Sequence, residues 1–228
     1  RTEVDRNDYI NRLEIIRRVD MELTESLNFD HVLQIALDAA IRISQAKAGA
    51  IHVLENDMLR AAHIVGNFPP SMLGTTIPLT RGIVGRVARR AIPELVTDVN
   101  LDPDYVPNVV ETRAQMTLPL MSQDRLIGVI NVQTPEAGLF TRPMFDFLKV
   151  LAVRIASALD NAHLHLVTEH HLSEITDLYK QVSELEQLKT QMIRIAAHDL
   201  RNPLGVISGY IQMLTEELSE HLTERGHD

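Results

Sequence analysis

The 228-residue chain has room for one or two domains, and its 45% hydrophobic and 23% charged residues are ordinary for a globular protein. A net charge of −9 argues against nucleic acid as a partner, because phosphate neutralisation needs a basic face; the absence of cysteine excludes disulfides, thiolate metal sites and thioether-linked chromophores. No apolar run approaches the ~20 residues of a membrane-spanning helix and no signal peptide is present, so these residues are expected in the cytoplasm, as a piece of a longer protein because the first residue is Arg1 rather than Met.

Residues 3 to 27 read as a helix in which Ile10, Leu13, Ile16, Leu23 and Leu27 approximate a heptad seam interrupted by Asp20. Such a helix either packs on its own domain or pairs with a second copy. Asn28 or Asp30 can cap a second helix that runs to about Ala46 and buries Val32, Leu33, Ile35, Ala36, Ala39, Ala40 and Ile43. Strand signals follow at Ala48 to Leu54 and at Met58 to Val65, separated by the polar turn Glu55-Asn56-Asp57. Thr75 to Leu79 is a short strand, Gly82 to Arg90 a short helix, and Pro93 to Val99 another strand. Asn100 to Val110 reads as loop. Strands at Ala114 to Met121 and Arg125 to Gln133 flank the turn Ser122-Gln123-Asp124, and a long helix begins near Thr141 with Pro143 in its first turn. Hairpins with helices at both ends predict an α+β fold, an antiparallel sheet with its helices gathered on one face.

From Thr141 to about Leu218 Pro203 is the one helix-breaking signal, and a helix of that length suggests a coiled coil. His171, Ile175, Leu178, Val182 and Leu185 form a heptad seam. Further on, Ile193, Ala196, Leu200, Leu204, Ile207 and Ile211 fall on one stripe, with His198 pointing away from it beside Arg194, Asn202, Gly205 and Gly209. The two registers differ by one residue, so a phase break lies between Leu185 and Ile193. His163, His165, His170 and His171 do not bring three imidazoles to one helical face, and no metal site is assigned.

Three stretches carry a resemblance to the GAF domain, a ligand-binding and dimerisation module. They are Gly82-Ile83-Val84-Gly85-Arg86-Val87-Ala88; Pro93 to Asp98 with Asp102-Pro103-Asp104-Tyr105; and Leu118-Pro119-Leu120 with Ile127-Gly128-Val129-Ile130-Asn131-Val132. The resemblance spans about residues 20 to 162. It implies a small-molecule pocket between the sheet and the loop at Asn100 to Val110. The natural ligand is not legible: the bilin-attaching cysteine is absent, as is the cyclic-nucleotide motif, and a haem ligand would have to be His52 or His63. His63 alternates with Leu59, Ala61 and Val65, which places it on an apolar layer. His63 and Tyr105 are the pocket candidates, with Arg113 a further polar neighbour.

The run His198-Asp199-Leu200-Arg201-Asn202-Pro203-Leu204 resembles the phosphoacceptor box of sensor histidine kinases at every defined position. An imidazole neutral near pH 7 is a good nucleophile, and an adjacent carboxylate can orient it and take its second proton. The resemblance implies His198 as phosphoacceptor, Asp199 as general base, Asn202 as the residue that positions water in the phosphatase reaction, and Pro203 as a hinge. It also implies a homodimer, a response regulator as partner, and ATP with Mg bound by a kinase domain expected after Asp228. The chain by itself is therefore expected not to autophosphorylate. The expected organisation is a helix over 1–19, a GAF domain over 20–162, a coiled-coil signalling helix over 163–190, and the first helix of a dimeric four-helix phosphotransfer bundle over 191–228. Two other readings stay open: a non-enzymatic ligand-binding module whose helices only dimerise, and a haem or redox sensor.

Overall fold

The structure is a computed structural model that describes residue 14 and residues 17–23, 26–107 and 111–224. The helix expected over 3–27 lies largely outside the described residues; within it, residues 17–23 are helical and bury Val19 and Leu23. The chain divides into two compact units, Arg1–Glu169 and His170–Asp228.

In the first unit, helix α1 (Phe29–Ser44) starts where the Asn28 side chain accepts a hydrogen bond from the backbone N–H of His31 at 3.0 Å. It stops at Gln45, which takes the left-handed conformation (φ 55°) that closes many helices. Strands β1 (Ala48–Glu55) and β2 (Met58–Val65) form a hairpin around the turn at Asn56-Asp57, both with positive φ. The short strand β3 (Thr76–Pro78), helix α2 (Gly82–Arg90) and strand β4 (Glu94–Val96) follow, then the hairpin of β5 (Ala114–Ser122) and β6 (Arg125–Thr134). The six strands form one antiparallel sheet in the order β3-β2-β1-β6-β5-β4. Helix α3 (Arg142–Glu224) begins in this unit and has Pro203 within it.

Because strand side chains alternate between faces, each residue of β1, β5 and β6 belongs to one of two layers. Ile51, Val53, Met116, Leu118, Leu120, Ile130 and Val132 point to a core closed by α1 and by the start of α3, through Leu33, Leu37, Leu148, Leu151, Ile155 and Leu159. Burying each of these large side chains contributes roughly 1.5–3 kcal/mol. The opposite face is covered in part by α2, whose Ile83, Val84 and Val87 pack on Leu59 and Val129.

A bulge in the β1–β2 pairing shifts the register between Ile51 and His52, so that Ile51 lies opposite His63 while His52 lies opposite Ala61. The extra residue, Ala62, reverses the facing of the second half of β2. The alternation expected to put His63 on one layer with Leu59 and Ala61 is broken there. His63 shares a face with Ile51, towards the helices, and is half-buried.

The hairpin turn of β5 and β6 is fastened to α3, where Asp160 accepts hydrogen bonds from Ser122 Oγ (2.6 Å) and from Arg125. Gly128 on β6 lies opposite Val53, and a Cβ placed on it would collide with the carbonyl oxygen of His52. A methyl group here forces apart the two central strands. Gly128→Ala is therefore expected to destabilise the sheet by about 2–3 kcal/mol, measurable as a lowered midpoint in urea unfolding; an unchanged midpoint would show that the strands pair less tightly than this.

Candidate functional site

The face of the sheet away from α1 carries an unusual row of residues. Pairing puts Ala48, Ala50 and His52 of β1, Val129, Asn131 and Gln133 of β6, and Gln115 and Thr117 of β5 on that one face. His52, Gln115, Thr117, Asn131 and Gln133 are all buried there. Part of the row satisfies itself. Gln115 Nε2 donates to Thr117 Oγ1 at 2.8 Å, Gln133 Nε2 donates to Gln115 Oε1 at 3.4 Å, and Thr112 Oγ1 donates to Gln133 Oε1 at 3.1 Å. His52 Nδ1 and both amide atoms of Asn131 have no partner among the described residues. Each orphan of this kind costs about 1–3 kcal/mol.

Above this row lies a cavity of about 340 Å³. His52 and Gln115 form its floor, Thr75, Thr76 and Ile77 one side, and Arg81, Gly82, Ile83 and Val84 another; Tyr105, Val106 and Pro107 close it. Gly82 turns the chain into α2 with φ 74°, a conformation that favours glycine, and its missing side chain leaves room for Val106. His63 and Arg113 are not part of the lining, whereas Tyr105 is. Arg113 instead pairs with Asp98 at 3.2 Å.

The wall made by residues 105–107 is held by Arg86. Its guanidinium binds Glu94 through Nε and Nη2 (3.0 and 2.5 Å), Asp102 through Nη1 and Nη2 (2.9 and 2.6 Å), and Asp104 through Nη1 (2.8 Å). One cation thus joins α2, β4 and the loop that follows Val99–Leu101. The planar fork of arginine suits this; a lysine does not supply the paired donors. The hydrogen bonds it donates to Asp102 and then to Glu94 hold the guanidinium far above its ordinary range, while accepting from Arg86 holds Asp102 below the usual carboxylate range. Two of the stretches singled out in the sequence, the α2 segment and Asp102-Pro103-Asp104-Tyr105, meet at this side chain.

The second unit is helical from His170 to Glu224. Ile175, Leu178, Val182 and Leu185 are exposed, as are Leu200, Leu204, Ile207 and Ile211. His198 is exposed too, and its Nδ1 lies 3.3 Å from Asp199 Oδ1. With the proton on Nδ1, that contact is a donated hydrogen bond, and Nε2 keeps its lone pair towards solvent. Pro203 sits four residues after Asp199 and has no N–H, so the Asp199 carbonyl lacks its helical partner. A Cβ on Gly205 or Gly209 would meet nothing within 4 Å.

Residues 26–160 match the family model described as GAF domain. The chain belongs to the GAF domain family. Residues 188–227, which contain His198, match the His Kinase A (phospho-acceptor) domain. A GAF domain followed by a phospho-acceptor domain is the order of a sensor histidine kinase in two-component signal transduction. The hybrid signal transduction histidine kinase G of Dictyostelium discoideum is 22% identical over 137 residues, which are 58% of this chain and 4% of that protein. The free methionine-R-sulfoxide reductase of Escherichia coli is 23% identical over 118 residues, 52% of this chain and 69% of that protein. Among solved structures, the GAF domain of an Acinetobacter phosphoenolpyruvate-protein phosphotransferase superposes with a TM-score of 0.61 at 21% identity, covering 67% of this chain and 94% of that one. Its fold is the α+β sheet and helices described above.

Gln115 of the GAF cavity was hidden by its setting, and His52 was singled out in the sequence only as a possible haem ligand. A polar residue at alternate positions of an antiparallel strand ordinarily marks a solvated face, and here that face is roofed by α2 and the loop. His52 carries a detectable consequence. Burial lowers its pKa to about 4, against about 6.5 in an unfolded chain. Below pH ~6.5 the unfolded chain binds a proton that the folded one refuses, so stability present at neutral pH falls as pH drops from ~6.5 towards ~4, by roughly 3 kcal/mol in all. Among the described residues, Arg81 and Tyr105 are the other ionisable groups lining the cavity. His52→Leu is expected to flatten this part of the pH profile of thermal unfolding, and an unaltered profile would locate the titrating group elsewhere. Arg86→Met is expected to cost about 2 kcal/mol, because three carboxylates lose their counterion, with faster proteolysis between Asp102 and Pro107; unchanged cleavage there would show that the loop is held by other contacts.

Proposed function

We propose that this chain is the sensor and phosphoacceptor portion of a two-component histidine kinase, in which occupancy of the GAF cavity controls phosphorylation of His198. The single observation that carries the reading is the exposed His198–Asp199 contact on a helix interrupted by Pro203, inside the phospho-acceptor segment. In the reaction, His198 Nε2 attacks the γ-phosphorus of ATP. A P–N bond forms, the P–O bond to the leaving ADP breaks, and the Nδ1 proton moves to Asp199. The phosphoryl group then passes to an Asp of a response regulator. Asn202, one helical turn beyond His198, positions water when the same site removes phosphate from the regulator. ATP and Mg are bound by a part of the kinase outside these residues.

Dimerisation through the helix supports this chemistry. The exposed apolar positions at Ile175, Leu178, Val182 and Leu185 and at Leu200, Leu204, Ile207 and Ile211 need a partner to leave water. The one-residue phase change between those two sets offers a way to rotate or bend the helix at His198, with Pro203 as the hinge. No helix among the described residues is long and apolar enough to cross a membrane.

The likeness to the sulfoxide reductase supports a small-molecule pocket but not its chemistry. Reducing a sulfoxide takes two electrons, and a chain without cysteine has no thiol pair to supply them. The deciding measurement is acid-labile label from radioactive ATP in the protein expressed with all of its native sequence. His198→Gln is expected to abolish that label and Asp199→Asn to slow its appearance by about 10²–10⁴-fold. Retained acid-labile label in His198→Gln would place the acceptor elsewhere.

A further inference from the structure

The lining of the GAF cavity has a polarity that specifies a ligand class. Among the described residues, Arg81 is the one charged side chain that lines it, in a protein with a net charge of −9. The acidic residues nearest the wall, Asp102 and Asp104, are taken up by Arg86. Beside Arg81 begins α2, which has no side-chain cap and no acidic residue in its first turn. The backbone N–H groups of Gly82, Ile83 and Val84 have no helical acceptor, since the first bond back into the helix is from Gly85 N–H to the Arg81 carbonyl (3.2 Å). These donors carry the partial positive charge of the helix start, which favours an anion. At the floor stands an independent feature: His52 is 2% exposed, its Nδ1 has no partner among the described residues, and it lines the cavity with Gln115. Apolar side chains of Ile77, Ile83 and Val84 lie between.

We propose that this cavity binds a small organic monocarboxylate without an ammonium group. Its carboxylate meets Arg81 and the first-turn N–H groups of α2, and an uncharged hydrogen-bonding group at its other end meets His52 and Gln115. The volume of about 340 Å³ is near the lower end of small-molecule pockets, which suits a compact acid rather than a nucleotide. A single lining cation matches one negative charge better than a dianion. Among the described residues no carboxylate lines the cavity, which rejects an ammonium group, because a buried cation without a counterion is costly. The cavity therefore disfavours zwitterionic amino acids, including methionine sulfoxide. The inference deepens the sensor reading and rests on it for its biological use, but the binding itself does not require His198.

The test is calorimetric titration of the whole chain with para-hydroxybenzoate, benzoate, para-hydroxybenzamide, para-aminomethylbenzoate and phenyl phosphate. The expected order has para-hydroxybenzoate about tenfold tighter than each of the others, the worth of one charge-assisted contact. Arg81→Gln, at an exposed position, should remove that preference over the amide. His52→Leu should remove the preference of para-hydroxybenzoate over benzoate while leaving benzoate binding in place. No binding by either acid at millimolar concentration, equal binding of acid and amide, tighter binding of phenyl phosphate or of the ammonium compound, or an Arg81→Gln protein that binds unchanged would overturn the proposal. Because the readout is heat of binding, its failure leaves the labelling result at His198 standing, and failure of that labelling leaves this result standing.

Discussion

Every side chain of the central strands has only two places to go, and the rest of the first unit follows from that constraint. On one face the alternation delivers Ile51, Met116, Leu118, Leu120, Ile130 and Val132 to a single apolar layer, and α1 and the start of α3 close over it. The other face receives what is left: two small residues of β1 and a row of buried imidazole, amide and hydroxyl groups. A sheet could solvate that row at no cost. Roofing it with α2 and the loop at 102–107 instead leaves His52 Nδ1 and the Asn131 amide unpaired, a sacrifice of stability of the sort found where a protein keeps polar groups ready for something else.

Charge is distributed so that the roof stays on and the protein's own carboxylates stay away from the cavity. Arg86 gathers Glu94, Asp102 and Asp104 into one node. Its desolvation is offset by paired, charge-assisted bonds from a planar fork. The same node withdraws two loop carboxylates that would otherwise set the electrostatics of the neighbouring cavity. Arg81, five residues earlier and half a helix away from that duty, remains as the charged group at the cavity wall. One helix start therefore does two jobs: its arginine inside the helix fastens the loop, and its uncapped first turn faces the space the loop encloses.

The second unit obeys different physics. It is a helix whose apolar positions lie in water, and a helix of this kind takes most of its stability from packing of that face rather than from propensity. His198 on this helix is 70% exposed. In the proposed reaction the imidazole gains from that exposure, because a donor and an acceptor domain must both reach it. Pro203 adds a missing hydrogen bond directly beneath the proposed acceptor, placing the weakest point of a long helix where movement would matter most.

The sequence alone determined the element order, since turn residues, capping residues and hydrophobic periods are local. The strands at 48–55, 58–65, 114–122 and 125–134 and the short helix at Gly82–Arg90 all stand within a residue or so of where the pattern placed them. The seven-residue run at His198 was equally legible, because its meaning lies in contiguous residues on one helix. The cavity was only partly so. Tyr105 was marked by its loop, but His63 was placed by an alternation that the bulge at Ala62 reverses, and a one-residue insertion in a strand has no signature in an apolar stretch. Gln115 went unmarked, Asn131 was marked only as part of a motif and His52 only as a possible haem ligand; the packing of α2 over that face decided what surrounds them. Arg86 joins groups 8, 16 and 18 residues apart. Local patterns end at the turn of a helix or the width of a hairpin; what lies on either side of a sheet is decided when the chain closes over it.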